Sequence, residues 1–98
     1  MMSTDVASAT ARLIAIAQSD TDQSRRVAAF LLGWWNGGDL GHFPIEHLWN
    51  VDQAISADMI AVMTFLAAQP SAVYADALGF DAEMRALVAR WRPEALAA

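Results

Sequence analysis

Residues 50–69 read NVDQAISADMIAVMTFLAAQ and predict the helix on which the rest of the chain packs. Asn50 is a good N-cap, and Gln53, three residues later, can return the hydrogen bond as in a capping box. Within residues 59–68 a single residue is polar, so apolar surface extends around most of the helix. The apolar residues at helical spacing are Val51, Ile55, Met59, Val62 and Leu66. We therefore expect a central helix over about residues 51–68, buried by neighbours on several sides.

The length and composition predict one helical domain over residues 1–98. The chain has 98 residues, which is enough for one hydrophobic core and too few for two. Its apolar fraction of 56% is rich in alanine and has no alternating runs of β-branched residues, which favours helices over strands. We expect an all-α fold, a compact bundle of four main helices plus one or two short helices.

The other helices follow from the same spacing and from turn residues. One main helix is expected from about residue 4 to 18, and the next ends where Asn36, Gly37 and Gly38 favour a helix stop. The last main helix begins near Asp81. A glycine-rich loop over residues 37–44 should lead into a short helix that contains Ile45, Leu48 and Trp49, and a second short helix fits residues 74–78.

Composition excludes several classes of chemistry. There is no cysteine, so disulfides, thiol nucleophiles and cysteine zinc sites are impossible, and a reducing compartment fits. The N-terminus lacks the features of a signal peptide, and the apolar run over residues 59–68 is about half of the roughly 20 residues that span a bilayer. We expect a cytoplasmic protein without membrane contact.

The charge distribution argues against nucleic-acid binding. The net charge is −5, lysine is absent, and no arginine lies between Arg26 and Arg85. Affinity for nucleic acids comes mostly from clustered Lys and Arg, so we expect no direct nucleic-acid binding. We interpret the acids of this region as solvated surface, with an acidic face toward a basic partner as the alternative. They are Asp39, Glu46, Asp52, Asp58, Asp76, Asp81 and Glu83.

Potential metal ligands gather in one part of the chain, but their spacing is poor. His42, Glu46 and His47 lie close in sequence, between Asp39 and Asp52, and carboxylates and imidazoles bind divalent ions. They do not form His-x-x-Glu-His, and the proline between the histidines opposes one continuous helix. We expect no metal and no cofactor, with His47 bonded to a backbone carbonyl. No nucleophile elbow or phosphate loop is present, so we expect no catalytic residue.

The tryptophans provide the best indication of a binding site. Trp34 and Trp35 are adjacent and project roughly 100° apart on a helix. The helical register turns Trp34 inward and leaves Trp35 at the edge, near the glycine loop. Trp35 is either an exposed interface anchor or is covered by the loop and the short helix. The predicted partner-binding residues are Trp35, Asp39, His42, Glu46 and Trp49.

Four segments resemble an uncharacterised family of small all-helical bacterial proteins that are often carried on integrative elements and phages. They are FLLGWWNGG at residues 30–38, LWNVD at 48–52, YADALGF at 74–80 and WRP at 91–93. The resemblance covers nearly the whole chain and implies no functional residue. It does imply a mobile-element setting, in which small acidic proteins include inhibitors of host defence complexes such as anti-CRISPR proteins.

The leading hypothesis is a small non-enzymatic protein-interaction domain that acts through an acidic and aromatic surface. In its most specific form it inhibits a host defence complex in the manner of an anti-CRISPR protein. We expect a protein partner from the host or from the mobile element. One alternative is a homodimeric structural or accessory protein, because small helical domains often bury apolar surface against a second copy. Another is a small metal-dependent enzyme that uses His42, Glu46 and His47.

Overall fold

The computed structural model describes residues 5–97, and this part of the chain contains helices and no β-strand. The elements are α1 (Val6–Ala17), α2 (Asp22–Leu40), the 3-10 helix η1 (Ile45–Asn50), α3 (Gln53–Ala67), the 3-10 helix η2 (Ala75–Leu78), α4 (Asp81–Trp91) and α5 (Pro93–Ala97). The predicted all-α class with four main helices is confirmed. The short α5 is an addition, because one or two short helices were expected and the described residues contain three.

Side chains from neighbouring residues start the first two helices. The Asp5 carboxylate accepts a hydrogen bond from the Ala7 N–H at 3.1 Å, at the start of α1. The Thr21 hydroxyl accepts one from the Ser24 N–H at 3.0 Å, at the start of α2. Both bonds satisfy N–H groups that have no partner within the helix.

The start of α3 differs from the prediction. Asn50 belongs to η1, and Asp52 is the N-cap of α3, without a capping bond from its side chain. The side chain of Gln23 on α2 takes the place of the expected capping box, because its Oε1 accepts a hydrogen bond from the Asp52 N–H at 2.6 Å. A contact between helices therefore fixes this end of α3.

The expected central position of α3 is wrong. Helix α1 packs against both α2 and α3, and α4 packs against α2. Helix α3 buries Ile55, Met59 and Val62, whereas its Ile60 is 50% exposed. The apolar surface around α3 is thus covered mainly on the side that faces α1. The shared core lies between the helices and includes Leu13, Leu31, Met59, Met84 and Leu87.

Helix α2 is interrupted where the glycines predicted its end. Asn36 has non-helical backbone angles, φ −158° and ψ 81°, and one further turn follows to Leu40. The chain then returns against α2, since a Cβ atom placed on Gly33 would lie 3.3 Å from the carbonyl oxygen of Gly41. Arg92, which follows α4, donates a hydrogen bond from Nε to the Leu40 carbonyl at 2.8 Å. The turn is therefore held against both α2 and the end of α4.

Most acids of the middle region lie on the surface, and Asp58 is an exception. Its carboxylate accepts hydrogen bonds from Nε and Nη2 of Arg12, both at 2.9 Å, and only 13% of its side chain is exposed. The hydrogen bond and the charge of Asp58 raise the pKa of the Arg12 guanidinium. A group with a raised pKa stabilises the fold at every pH below its unfolded pKa, so Arg12 introduces no pH dependence near neutrality.

Candidate functional site

The short helix η1 exposes two large apolar side chains. Trp49 is 87% exposed and Ile45 is 70% exposed. In a 3-10 helix, residues three apart lie on the same side, which places Glu46 beside Trp49 and Ile45 beside Leu48. Leu48 is half-buried and packs against the core, so it attaches η1 to the protein. The opposite side of η1 faces water.

A groove of about 350 Å³ lies next to η1, and Ile45 forms part of its wall. The walls are apolar and come from α2, from the loop before η1 and from α3. The side chains that line them include Phe30, Trp34, His42, Phe43, Met63 and Leu66. We call the groove together with Ile45 and Trp49 the docking surface.

Aromatic contacts and one hydrogen bond fix the groove walls. The Phe43 ring packs edge-on against Phe30, with 5.4 Å between centroids, and against His47, with 5.7 Å. The Trp34 indole N–H donates to the Val73 carbonyl at 2.9 Å. These contacts hold the walls in a preformed arrangement. The predicted bond from His47 to a backbone carbonyl is not made by its Nδ1, which is buried without a hydrogen-bond partner among residues 5–97.

Trp35 has different surroundings from the rest of the predicted site. It is half-buried against the core, and the guanidinium carbon of Arg85 lies 5.9 Å from the centre of its ring. Trp35 therefore faces α4, whereas Trp34 lines the groove, as expected for adjacent helical residues that project roughly 100° apart. Arg85 of α4 lies over the half-buried Trp35, whereas the sequence left open either an exposed anchor or a cover from the glycine loop and the short helix.

The three polar residues of the predicted site remain accessible. His42 is exposed and lines the groove, while Asp39 and Glu46 are exposed at neighbouring positions of the chain. The Asp39 carboxylate accepts a hydrogen bond from the Asn36 side-chain amide at 3.2 Å. Neither acid makes an ion pair in the described part of the chain. The structure thus brings His42 and Ile45 together in the groove and leaves two free carboxylates close by in sequence.

The arrangement does not form the alternative metal site. Among residues 5–97, no three His, Asp or Glu side chains are placed to hold one metal ion. His47 packs edge-on against Phe43, so the combination of His42, Glu46 and His47 is not assembled. The metal-dependent alternative therefore lacks a ligand set in the described residues.

The apolar groove walls were missed by sequence reasoning. Phe30 belongs to the buried core as well as to the groove wall, and Phe43, Met63 and Leu66 carry no sequence signal of a site. A weak signal was present in Gly33, Gly37 and Gly41, which recur every four residues. The groove itself depends on the close approach of Gly41 to Gly33, which no local pattern predicts.

The sequence model of DUF7673, a family of unknown function, matches residues 7–92. The chain belongs to this family. In this DUF7673 member the matched segment contains the whole docking surface and the Arg12–Asp58 ion pair. No curated protein and no solved structure matches the chain. In the described part of the chain, no helix has both the length and the hydropathy that crossing a membrane requires.

Proposed function

We propose that the protein is a non-enzymatic interaction domain that binds a protein partner through the docking surface. The observation that carries the proposal is the 87% exposure of Trp49. Burying a large apolar side chain contributes about 1.5–3 kcal/mol, so a small domain gains stability from each one it covers. Tryptophan is also enriched among the residues that dominate binding energy at interfaces.

The other three tryptophans show that Trp49 is the exception. Trp34, Trp35 and Trp91 are half-buried and pack against the core. The indole N–H of Trp91 donates to the Ala17 carbonyl at 2.8 Å, just as that of Trp34 donates to Val73. These three indoles thus have neighbours within the protein, whereas Trp49 is exposed on η1, the short helix whose Ile45 forms part of the groove wall. This arrangement fits a surface that is completed by a partner.

A more specific form of this proposal is inhibition of a host defence complex. The setting that the family resemblance implies supports it, and the charges favour a local contact patch over mimicry of DNA. Asp22, Asp58 and Asp81 each form an ion pair with an arginine of the same chain. Such pairing reduces the negative field that a DNA mimic needs. Addition of the purified protein to a reconstituted defence complex, followed by a nucleic-acid binding assay, tests this form.

The test of the general proposal compares two exposed aromatic residues. Wild-type protein, Trp49→Ala and Tyr74→Ala are immobilised and exposed to extract from the source organism, and the bound proteins are identified by mass spectrometry. Tyr74 is 46% exposed and lies outside η1, at the start of η2, so it is the matched control. We expect a partner that wild type and Tyr74→Ala retain and that Trp49→Ala loses. A partner retained by all three proteins, or no specific partner, contradicts the proposal. Circular dichroism spectra of all three proteins establish that they are folded.

A further inference from the structure

The charge around the docking surface identifies the chemistry of the partner. Resting on the function proposed above, we infer that the docking surface binds a basic amphipathic segment of the partner protein. Large apolar side chains of that segment enter the groove and pack against Trp49. Its lysine and arginine side chains lie opposite Asp39 and Glu46.

The apolar part of the surface is larger than one side chain needs. The groove has a volume of about 350 Å³, within the range of about 300–1,000 Å³ that is typical of ligand pockets. Ile45 and Trp49 are more than two-thirds exposed and lie four positions apart, on adjacent sides of η1. Met63 adds a flexible thioether wall that can adapt to different apolar groups. The groove and the exposed side chains of η1 together offer contacts to more than one apolar side chain of an occupant.

The negative charge at this surface is not balanced within the described chain. Asp39 lies between Gly37 and Gly41, which line the groove, and Glu46 follows Ile45. Arg92 brings one positive charge close to Gly41, but it donates to the carbonyls of Leu40 and Trp91, both at 2.8 Å, and forms no ion pair with either acid in residues 5–97. The two free carboxylates therefore favour a partner that brings positive charge.

A second copy of this chain suits the surface poorly. In a two-fold interface both copies use the same patch, so each copy would face a patch that carries the same two exposed acids. Each copy also carries a net charge of −5. Like charges at an interface suppress association. Charge complementarity therefore selects a basic partner over self-association.

The test uses three synthetic fluorescent peptides of about 18 residues, long enough to form a helix on binding. The first carries Leu and Trp along one helical face and Lys and Arg elsewhere. The second replaces Lys and Arg by Glu, and the third replaces Leu and Trp by Ser. We expect the first peptide to bind, with the other two at least about tenfold weaker. Equal binding of the acidic peptide, or of the peptide without apolar residues, overturns the inference.

Two double variants separate local complementarity from general attraction to an acidic protein. Asp39→Asn/Glu46→Gln removes the two acids at the docking surface. Asp20→Asn/Asp76→Asn removes two exposed acids elsewhere that make no ion pair in residues 5–97. At low salt we expect the first variant to weaken binding about fivefold and the second less than about twofold. Equal weakening by both variants overturns the inference.

Indole N–H resonances locate the bound peptide. We expect it to shift the signals of Trp34 and Trp49 and to leave that of Trp91, which contacts Ala17, unchanged. If the peptide does not bind and sedimentation velocity shows a dimer that Trp49→Ala abolishes, the occupant is a second copy and the inference is wrong. A natural partner that is captured through Trp49 but contacts it with a segment lacking Lys and Arg also overturns the inference, while the proposed interaction function stands.

Discussion

Gly33 and Gly41 make the groove possible at the level of single residues. The Gly41 carbonyl oxygen lies 3.3 Å from the position that a Cβ of Gly33 would take. A Cβ on Gly41 would in turn lie 3.3 Å from Nη2 of Arg92. Neither glycine has a positive φ that would exclude other residues. Their role is therefore to allow the close approach of neighbouring atoms. Gly37 also lines the groove, but no atom lies within 4 Å of its Cβ position.

This difference predicts opposite effects of two matched substitutions. Gly33→Ala pushes against the Gly41 carbonyl, whose segment is held by the Arg92 hydrogen bond to Leu40. Gly37→Ala meets no atom, and within a helix Ala is favoured over Gly by about 0.5–1 kcal/mol. We expect Gly33→Ala to be the less stable variant by about 1 kcal/mol or more. Urea unfolding measures both free energies, and a Gly33→Ala variant as stable as Gly37→Ala contradicts the close approach.

Helix α3 shows that a helix with apolar residues around most of its circumference can be buried on one side only. Its buried residues, Ile55, Met59 and Val62, lie on the side that packs against α1. Ile60 and Thr64 are exposed on the other side. The Arg12–Asp58 ion pair adds a polar contact between α1 and α3. The helix is therefore an outer element that covers α1, although its sequence resembles that of a central one.

Two aspartate substitutions on α3 test this one-sided burial. Val62→Asp places an uncompensated charge in the core at a cost of about 3–5 kcal/mol. That is a large part of a typical stability of about 5–15 kcal/mol, so we expect this variant to be largely unfolded. Ile60→Asp lies on the half-exposed side, and we expect a loss of about 1 kcal/mol or less. Thermal melts followed by circular dichroism measure the stability of both variants. An unfolded Ile60→Asp variant would contradict one-sided burial and support a central position of α3.

The end of α4 joins distant parts of the whole molecule. Trp91 donates to the Ala17 carbonyl at 2.8 Å, and Arg90 donates to the Ser19 carbonyl at 3.2 Å, both at the end of α1. Arg92 donates to the Leu40 carbonyl at the end of α2. These bonds satisfy carbonyl groups at helix C-termini and in the following turn. Three consecutive residues thus connect α4 to two other helices.

Truncation on either side of these three residues separates their contribution from that of α5. A chain ending at Arg92 loses α5, in which Pro93, Glu94 and Ala95 are exposed, and we expect its stability to fall by less than about 1 kcal/mol. A chain ending at Ala89 also loses the connecting residues. We expect a further loss of about 3–5 kcal/mol, as for removal of a large aromatic side chain. Chemical unfolding of the full chain and both truncations measures the difference, and equal stability of the two truncations contradicts this role.

The helical class, the number of main helices and the turns between them follow from the sequence, because these features depend on residues a few positions apart. Apolar spacing defines α1 and α4, and Asn36 with its glycines interrupts α2 as the pattern predicts. The side on which a helix is buried is different, since it depends on contacts between distant residues. Asp58 meets Arg12 across 46 positions, and Gln23 fixes the start of α3 across 29. Trp49 was predicted as a site residue, but its 87% exposure depends on how far the neighbouring elements cover η1. That outcome is set by how α1, α2 and α3 share their apolar surfaces, and periodicity within one helix carries no information about it.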